Sequence, residues 1–599
     1  MTDRSVADRL GDFTADARII TLALFAAVIG VASAFVALAL VRLIGFFTHL
    51  FYYHEIGGSL VSPAATRLGA WALLVPVGGG LAVGLMARFG SERIRGHGIP
   101  EALEAILIGR SRMSLRIAIL KPLSSAVAIG TGGPFGAEGP IIMTGGAFGS
   151  LFAQAFHLSA AERKTLLVAG AAGGMAGVFG TPLAAALLAV ELLLFEWKPR
   201  SFIPVACASV VAGAVRVPLL GAGPLFPMVP HPSLPWPDLV AALVVGILAG
   251  FASGLLTWLV YACEDLFRKL PIHWMWWPIL GGIVVGVGGL LYPRALGVGY
   301  DSIADLLGGR LVGPMLIGLL VTKAVIWSVA LGSGTSGGVL APLLIMGGSL
   351  GALEARWIPL GDVGLWAAVG MGAMMGGTMR SPFTAVAFML ELTHDVGALP
   401  GMLLACAAAD GVTVLLMKRS ILTEKVARRG YHVMREYSVS PLHKVRVADV
   451  MERDVPTVPA AMPLESLFVR LVELDPVLGP RQAWPLVDDH DRLVGILTRG
   501  DLVRALDAVD ADATVLDAGT RSLVVAYPDE LLEEATAKML EHDVGRLPVV
   551  SRDDPRRLVG YLGRAGIMAA WVHAAREERH REAGWLEARL ERWRERLTR

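Results

Sequence analysis

The sequence predicts a polytopic α-helical membrane protein with a smaller α/β domain at its C-terminal end, and three observations lead there. The chain of 599 residues is 54% hydrophobic and only 18% charged, where soluble proteins carry about 25% charge. Charge is also divided unevenly. From Tyr431 onward, 53 of 169 residues are Lys, Arg, Asp or Glu, against 52 in the first 430. The low-charge part holds uncharged runs long enough to cross a bilayer, which takes roughly 20 apolar residues. Ile19–Val41, Leu68–Ala87, Thr165–Val190, Leu239–Cys263 and Ala324–Leu353 are the clearest. A boundary therefore falls near Arg429-Gly430, with a membrane domain over 19–430 and an ordinary soluble composition after it.

Composition excludes several classes. A net charge of +1 is not that of a nucleic-acid binder, which carries a basic excess. Cys207, Cys263 and Cys406 lie in apolar stretches and offer neither a disulfide framework nor metal-ligand spacing. The 70 glycines sit inside apolar runs, which is the pattern of closely packed membrane helices. Residues 1–18 are polar and of mixed charge, without the short apolar core and cleavage site of a signal peptide. They are expected to precede a first spanning helix.

The membrane part repeats itself. A shift of 202 residues lays Gly130–Ala153 on Gly332–Ala355 with nine of 24 positions identical, among them Gly136/Gly338 and Pro140/Pro342. Lys121 and Lys323 keep the same offset. A shift of 200 lays Thr181–Leu192 on Ser381–Leu392, placing Glu191 on Glu391. The near-constant offset predicts a duplicated unit, about 70–220 and 270–420.

Duplication with Gly/Pro-interrupted segments in both halves is the sequence signature of transporters whose ion site lies between the repeats. An anion in hydrocarbon needs donors, and a broken helix supplies free N–H groups and the positive end of its dipole. Gly136-Ala137-Glu138-Gly139-Pro140 and Gly338-Val339-Leu340-Ala341-Pro342 have that character, with flexible glycine and then proline in the first turn. Close helix packing by small residues is the competing reading. Glu138 follows 16 uncharged residues and precedes 23 more. A carboxylate there is costly and points to function: ionised, it occupies the anion pocket, and protonated or displaced, it leaves. The alternative is an N-terminal helix charge at the membrane surface. Glu191 and Glu391, at equivalent places in both repeats, suggest capping or interface hydrogen bonding.

These residues resemble the CLC family of chloride channels and chloride/proton antiporters. Gly96-His97-Gly98-Ile99-Pro100, Gly136–Pro140 and Gly338–Pro342 are similar to the family's three anion-site motifs, in order and spacing, over about residues 20–430. The resemblance implies two inverted repeats, a homodimer with one anion pathway per subunit, and an inner-membrane, multi-pass protein with cytoplasmic termini. It implies Glu138 as gate and anion contacts from His97, Gly98, Ile99, Gly136, Gly139, Gly338, Val339 and Leu340. Four departures stand out. His97 replaces the usual serine, Ala137 an arginine, Leu340 a phenylalanine, and Leu422 a tyrosine. The pathway is expected to be wider or differently gated, with an imidazole that titrates near neutral pH; a neutral histidine bonded to backbone is the alternative. Leu192 stands where the family's antiporters place a proton-carrying glutamate. Leucine carries no proton, which favours channel-like chloride conduction. Glu191 does not inherit the role, because one residue turns a helical side chain by about 100°.

From Val445 short β-branched strands alternate with amphipathic helices, and the pattern occurs twice, over 445–506 and 512–571. Each copy has a Pro-Leu-Val or Pro-Val-Val strand, an acidic turn and an Arg-Leu-Val-Gly strand. This resembles a pair of CBS domains, which implies a cleft able to hold an adenine nucleotide (ATP, ADP or AMP). The phosphate- and ribose-contacting pair appears in the first copy as Thr498 and Asp501, residues equally suited to capping a helix. The second copy has Gly563 and Gly566 instead. The Arg/Glu-rich tail, 574–599, places Leu586, Leu590, Trp593 and Leu597 on one helical stripe, for a coiled coil, a membrane surface or the CBS pair.

No catalytic constellation and no phosphate-cradling GxxxxGK[ST] motif is present, so neither an enzyme nor a required cofactor is expected. The partners expected are chloride and other small anions, with protons in an antiporter. Two other functions compete with chloride conduction: an antiporter coupling chloride, nitrate or fluoride to protons, and a membrane-anchored nucleotide sensor. An anchor has no reason to carry the cost of Glu138.

Overall fold

The computed structural model describes residues 17–358, 361–430, 445–506, 513–579 and 581–582. It divides into a membrane unit and a second unit over Val439–His580.

In the membrane unit the duplication appears element by element. The first repeat contains α1 (Arg18–Thr48), α2 (Leu74–Phe89), α3 (Ile99–Leu107), α4 (Leu115–Gly130), α5 (Glu138–Ala153), α6 (Ala160–Phe179), α7 (Pro182–Leu188) and α8 (Pro199–Leu220). The second runs in the same order: α9 (Trp236–Arg268), α10 (Trp277–Leu291), α11 (Tyr300–Leu307), α12 (Pro314–Gly332), α13 (Leu340–Glu354), α14 (Val363–Met379), α15 (Pro382–Thr393) and α16 (Leu399–Leu416). A short α17 (Ile421–Ala427) follows. Seven helical segments among the described residues are long and apolar enough to cross a membrane. Of the others, α5, α6, α13 and α14 are the most deeply buried.

Two apolar runs expected as continuous spans are each two helices. Thr165–Val190 breaks after Phe179, where Gly180 takes φ 70° and α7 restarts with Pro182 at its first position. Ala324–Leu353 breaks between Gly332 and Leu340, leaving non-helical backbone inside the protein. Such backbone survives at membrane depth only where protein or a polar cavity covers it.

Glycine allows the short helices to pack backbone to backbone. A Cβ on Gly170 of α6 would run into the backbone of Gly145 of α5, and one on Gly370 of α14 into that of Gly347 of α13. The two contacts are repeat-related.

Glu191 and Glu391 join the repeats through reciprocal caps. The Glu391 carboxylate accepts from the amides of Leu183 (3.0 Å) and Ala184 (2.8 Å), at the start of α7. The Glu191 carboxylate accepts from the amides of Phe383 (3.3 Å) and Thr384 (2.8 Å), at the start of α15. Each carboxylate satisfies orphan donors and opposes a helix dipole. Glu191→Gln and Glu391→Gln are each expected to lower stability by about 1–2 kcal/mol. Thermal unfolding in detergent reads the loss, and two unchanged melting temperatures would contradict the capping role.

The second unit contains both soluble copies. In the first, α18 (Val447–Val450), β1 (Val458–Pro459) and α19 (Leu464–Val472) precede the hairpin β2 (Ala483–Val487) and β3 (Leu493–Thr498), with α20 (Arg499–Leu506) after it. In the second, α21 (Val515–Ala518) and α22 (Leu532–Glu541) precede β4 (Arg546–Val550), β5 (Leu558–Gly563) and α23 (Arg564–Arg579). Trp484 pairs with Leu497 in one hairpin and Leu547 with Leu562 in the other, and the register shifts at the same place in both. The copies exchange edges: Glu452 pairs with Tyr561, and Thr520 with Ile496. The helix expected to begin at Ala574 continues α23 only to Arg579, and Arg581–Glu582 is extended. Leu586, Leu590, Trp593 and Leu597 lie outside the described residues.

Candidate functional site

Three non-helical loops meet between the repeats, and each ends where a buried helix begins. The first carries Gly96 (φ 84°), His97 and Gly98 (φ 90°) into α3. The second leads through Gly136 and Ala137 into α5, and the third through Ser336, Gly337, Gly338 and Val339 into α13. Backbone bonds stitch them together. The Gly136 amide donates to Gly338 O (3.3 Å), the Gly338 amide to Gly136 O (2.9 Å), and the Gly337 amide to Gly96 O (3.4 Å). Motifs separated by roughly 40 to 240 residues in sequence thus share one site.

One buried lysine holds the first and third loops, and its repeat-equivalent holds the segment before α11. Lys121, on α4, donates to Ile94 O (2.9 Å), Gly96 O (2.7 Å) and Ser336 Oγ (3.0 Å). Ser336 Oγ also meets Ser124 Oγ (3.1 Å) and Ser125 Oγ (2.8 Å), so the first and third loops hang on one polar knot. Lys323, the repeat-equivalent on α12, donates to Ala295 O (2.9 Å) and Gly297 O (3.0 Å). Both lysines are fully buried.

Glu138 is the first residue of α5 and is fully buried. Its Oε1 accepts from the amide of Ala341 (3.1 Å), in the first turn of α13. Its Oε2 is buried with no hydrogen-bond partner. A carboxylate from one repeat therefore occupies the N-terminal anion position of the other repeat's helix, where free N–H groups and the dipole receive negative charge. The glycines give it room: a Cβ on Gly338 would lie 2.6 Å from Glu138 Oε2. A Cβ on Gly139 would strike His97 O, and one on Gly98 would lie 2.7 Å from Gly139 O. The approach of α5 to the first loop is that close.

The structure gathers His97, Gly98, Gly136, Glu138, Gly139 and Gly338, and places Ile99, Val339 and Leu340 fully buried at the helix starts beside them. His97 is buried and its Nδ1 has no hydrogen-bond partner. Glu101 caps its own helix by accepting from the Gly98 amide (3.0 Å) and pairs with Arg429 (3.0 Å). Leu192 and Leu422 are both buried, Leu192 in the wide turn that continues α7 and Leu422 in α17.

Sequence reasoning missed two contributors. The amide that receives Glu138 is that of Ala341, in the third motif but one residue beyond Leu340; the motif's own proline was a signal for it. Tyr261, on α9, donates to Ile421 O (2.5 Å) and anchors α17 next to Leu422. Nothing in its surrounding sequence marks that role.

In the second unit, Thr498 Oγ1 donates to Asp501 Oδ2 (2.6 Å), the Thr498 amide donates to the same oxygen (2.9 Å), and Arg504 pairs with Oδ1. The hydroxyl and carboxylate are thus engaged in closing the first turn of α20.

Comparison with known proteins identifies the arrangement. Residues 78–414, more than half of the chain, match the family model described as voltage gated chloride channel. The chain belongs to the CLC family. Residues 447–508 and 511–573 each match the CBS domain. Among curated relatives, the voltage-gated ClC-type chloride channel ClcB of Escherichia coli O17:K52:H18 is 30% identical over 418 residues, covering 68% of this chain and 99% of that protein. The protein of the same name from Salmonella typhimurium LT2 is 30% identical over 416 residues, 67% of this chain and 98% of the relative. The fold is that of solved CLC proteins. A slow cyanobacterial Cl-/H+ antiporter matches with a TM-score of 0.61 at 21% identity, over 68% of this chain and 97% of its own. A eukaryotic CLC transporter matches with 0.60 at 20% identity, over 91% and 98%. The protein is a CLC-type anion transporter with a C-terminal CBS pair.

Proposed function

We propose that this CLC protein conducts chloride across a cell membrane in a channel-like manner, gated by Glu138 and regulated through its CBS pair. The observation that carries the reading is the Glu138 carboxylate seated on the Ala341 amide. It is an internal anion held at a broken-helix terminus, and chloride takes that place once the carboxylate is neutralised or swings away. His97, with its unpartnered Nδ1, supplies the donor that serine supplies in the usual motif. Leu192 supports conduction without coupled protons, because a buried leucine interrupts any relay at that point. Assembly as a homodimer with cytoplasmic termini belongs to the same proposal.

Coupled chloride/proton exchange is the second reading. It is favoured by the names of solved relatives such as the cyanobacterial antiporter, and a fluoride/proton antiporter shares the fold at TM-score 0.56 and 22% identity, over 67% of this chain and 97% of its own. A membrane-anchored sensor is the third reading, and the buried Glu138 weighs against it. A nucleotide in the CBS pair would need groups other than Thr498 and Asp501, which are occupied by their cap.

Reconstituted liposomes loaded with chloride and opened to potassium by an ionophore test the proposal. Chloride is expected to leave rapidly, and His97→Ala, which removes the unpartnered Nδ1, is expected to slow it. Efflux no faster than from protein-free vesicles would contradict chloride conduction.

A further inference from the structure

α17 is followed by two arginines that reach opposite ways. The helix itself is fixed at its start, where Ser420 Oγ accepts from the Thr423 amide (3.3 Å) and the Tyr261 hydroxyl donates to Ile421 O (2.5 Å). Arg428 turns toward α9, where it meets Asp265 (3.1 Å) and lies 4.6 Å from the centre of the Tyr261 ring. Arg429 turns toward α3. One of its nitrogens donates to Glu101 Oε1 (3.0 Å) and another to Glu104 Oε2. A single fork thus holds two carboxylates of one helix, a geometry that suits a guanidinium and not an ammonium.

The two carboxylates are not equivalent. The Glu104 side chain is 25% exposed and that of Glu101 only 2%, so water screens the Glu104 pair and hardly reaches the other. Glu101 Oε2 accepts from the amide of Gly98 (3.0 Å), which holds φ 90°. A Cβ on Gly96 would lie 3.6 Å from Glu101 Oε1. The buried carboxylate therefore stands directly against the loop of the first motif. Other cations near it are committed elsewhere. Lys121 donates to three oxygens, and Lys425 faces Glu264 across 3.7 Å. Among the described residues, Arg429 is the cation paired with Glu101.

A buried carboxylate that loses its partner is costly in itself, and it repels an anion brought near it. We propose that Arg429 is a positioning residue for anion binding and acts through Glu101. It keeps that carboxylate on the Gly98 amide, so that the first loop holds its turn, and it cancels a negative charge that would otherwise oppose chloride at the loop. The inference rests on the proposed passage of chloride along the three loops, which the channel and antiporter readings share. It carries a signature of its own: loss of Arg429 harms because Glu101 stays charged, so neutralising Glu101 repairs it.

Isothermal titration of sodium chloride into the full-length protein in detergent, at an ionic strength held with a large organic anion, reads chloride affinity directly. Arg429→Gln is expected to weaken chloride by about tenfold, and Arg429→Lys to fall between that variant and the parent. Glu101→Gln, which keeps an oxygen for the Gly98 amide, is expected to bind chloride at least as tightly as the parent. The double variant Glu101→Gln/Arg429→Gln is expected to return to within about twofold of the parent. Glu104→Gln, at the screened end of the fork, is expected to change little. Melting of the chloride-free variants separates lost folding from lost binding. Where Arg429→Gln does not fold, Arg429→Lys carries the test, and its weakening is expected to vanish beside Glu101→Gln. Arg429 variants with parental affinity, or a double variant as weak as the single arginine variant, would overturn the inference. A parent that takes up no chloride would remove the transport reading and the inference with it.

Discussion

Glu138→Gln is expected to raise chloride flux at neutral pH by about tenfold or more and to flatten its dependence on pH. The ionised carboxylate accepts a charge-assisted bond from the Ala341 amide, worth roughly 1.5–3 kcal/mol, and in the proposed gating chloride displaces it to enter. An uncharged glutamine of the same shape loses most of that advantage, and each 1.4 kcal/mol is about a factor of ten in occupancy. The sign follows from the chemistry. Protonation does to the wild type what the substitution does permanently, so parental flux rises as pH falls and approaches that of the variant in acid. Efflux measured with a chloride electrode from about pH 5 to pH 8 reads both effects. A variant no faster than its parent, with a parallel pH profile, would remove Glu138 from the gate.

Lys121→Met is expected to be the most damaging single substitution away from the gate. Three buried hydrogen bonds, to Ile94 O, Gly96 O and Ser336 Oγ, are lost together, and a hydrogen bond from a charged group is worth roughly 1.5–3 kcal/mol. The loss is therefore roughly 3 kcal/mol or more, concentrated where the first and third loops meet. Lys323→Met removes two bonds to Ala295 O and Gly297 O and provides an internal comparison. It is expected to cost less stability and to leave the Ser336 knot intact. Thermal unfolding in detergent ranks the two, and flux from liposomes shows whether the loops still form a pathway. A Lys121→Met protein as stable and as active as its parent would show that the loops need no such brace.

The motif loops, the duplication, Glu138 and the CBS pair were legible in sequence because each leaves a local pattern: a Gly/Pro spacing, a constant offset, a lone charge, a recurring strand. What was not legible depends on contacts between distant residues. Lys121 was visible only as a repeat match, since its partner Ser336 is 215 residues away. Thr165–Val190 read as a single span because its residues are all uncharged, and the break follows from the left-handed conformation of Gly180. Tyr261 acts through a bond to Ile421, 160 residues on. In the CBS pair, attention to Thr498 and Asp501 favoured the first copy. There Thr498 and Asp501 bond each other and close the first turn of α20, a pairing that their spacing alone leaves open.

The central claim is conduction of chloride through a Glu138-gated site without obligatory proton exchange, and the most direct measurement is proton movement in liposomes under an imposed chloride gradient. Leu192 lies buried, and the family resemblance implies a relay carboxylate at that position in antiporters. Chloride is therefore expected to run down its gradient, with no uphill movement of protons in the external pH trace. Sustained proton pumping in fixed ratio to chloride would contradict the account and establish the protein as an antiporter.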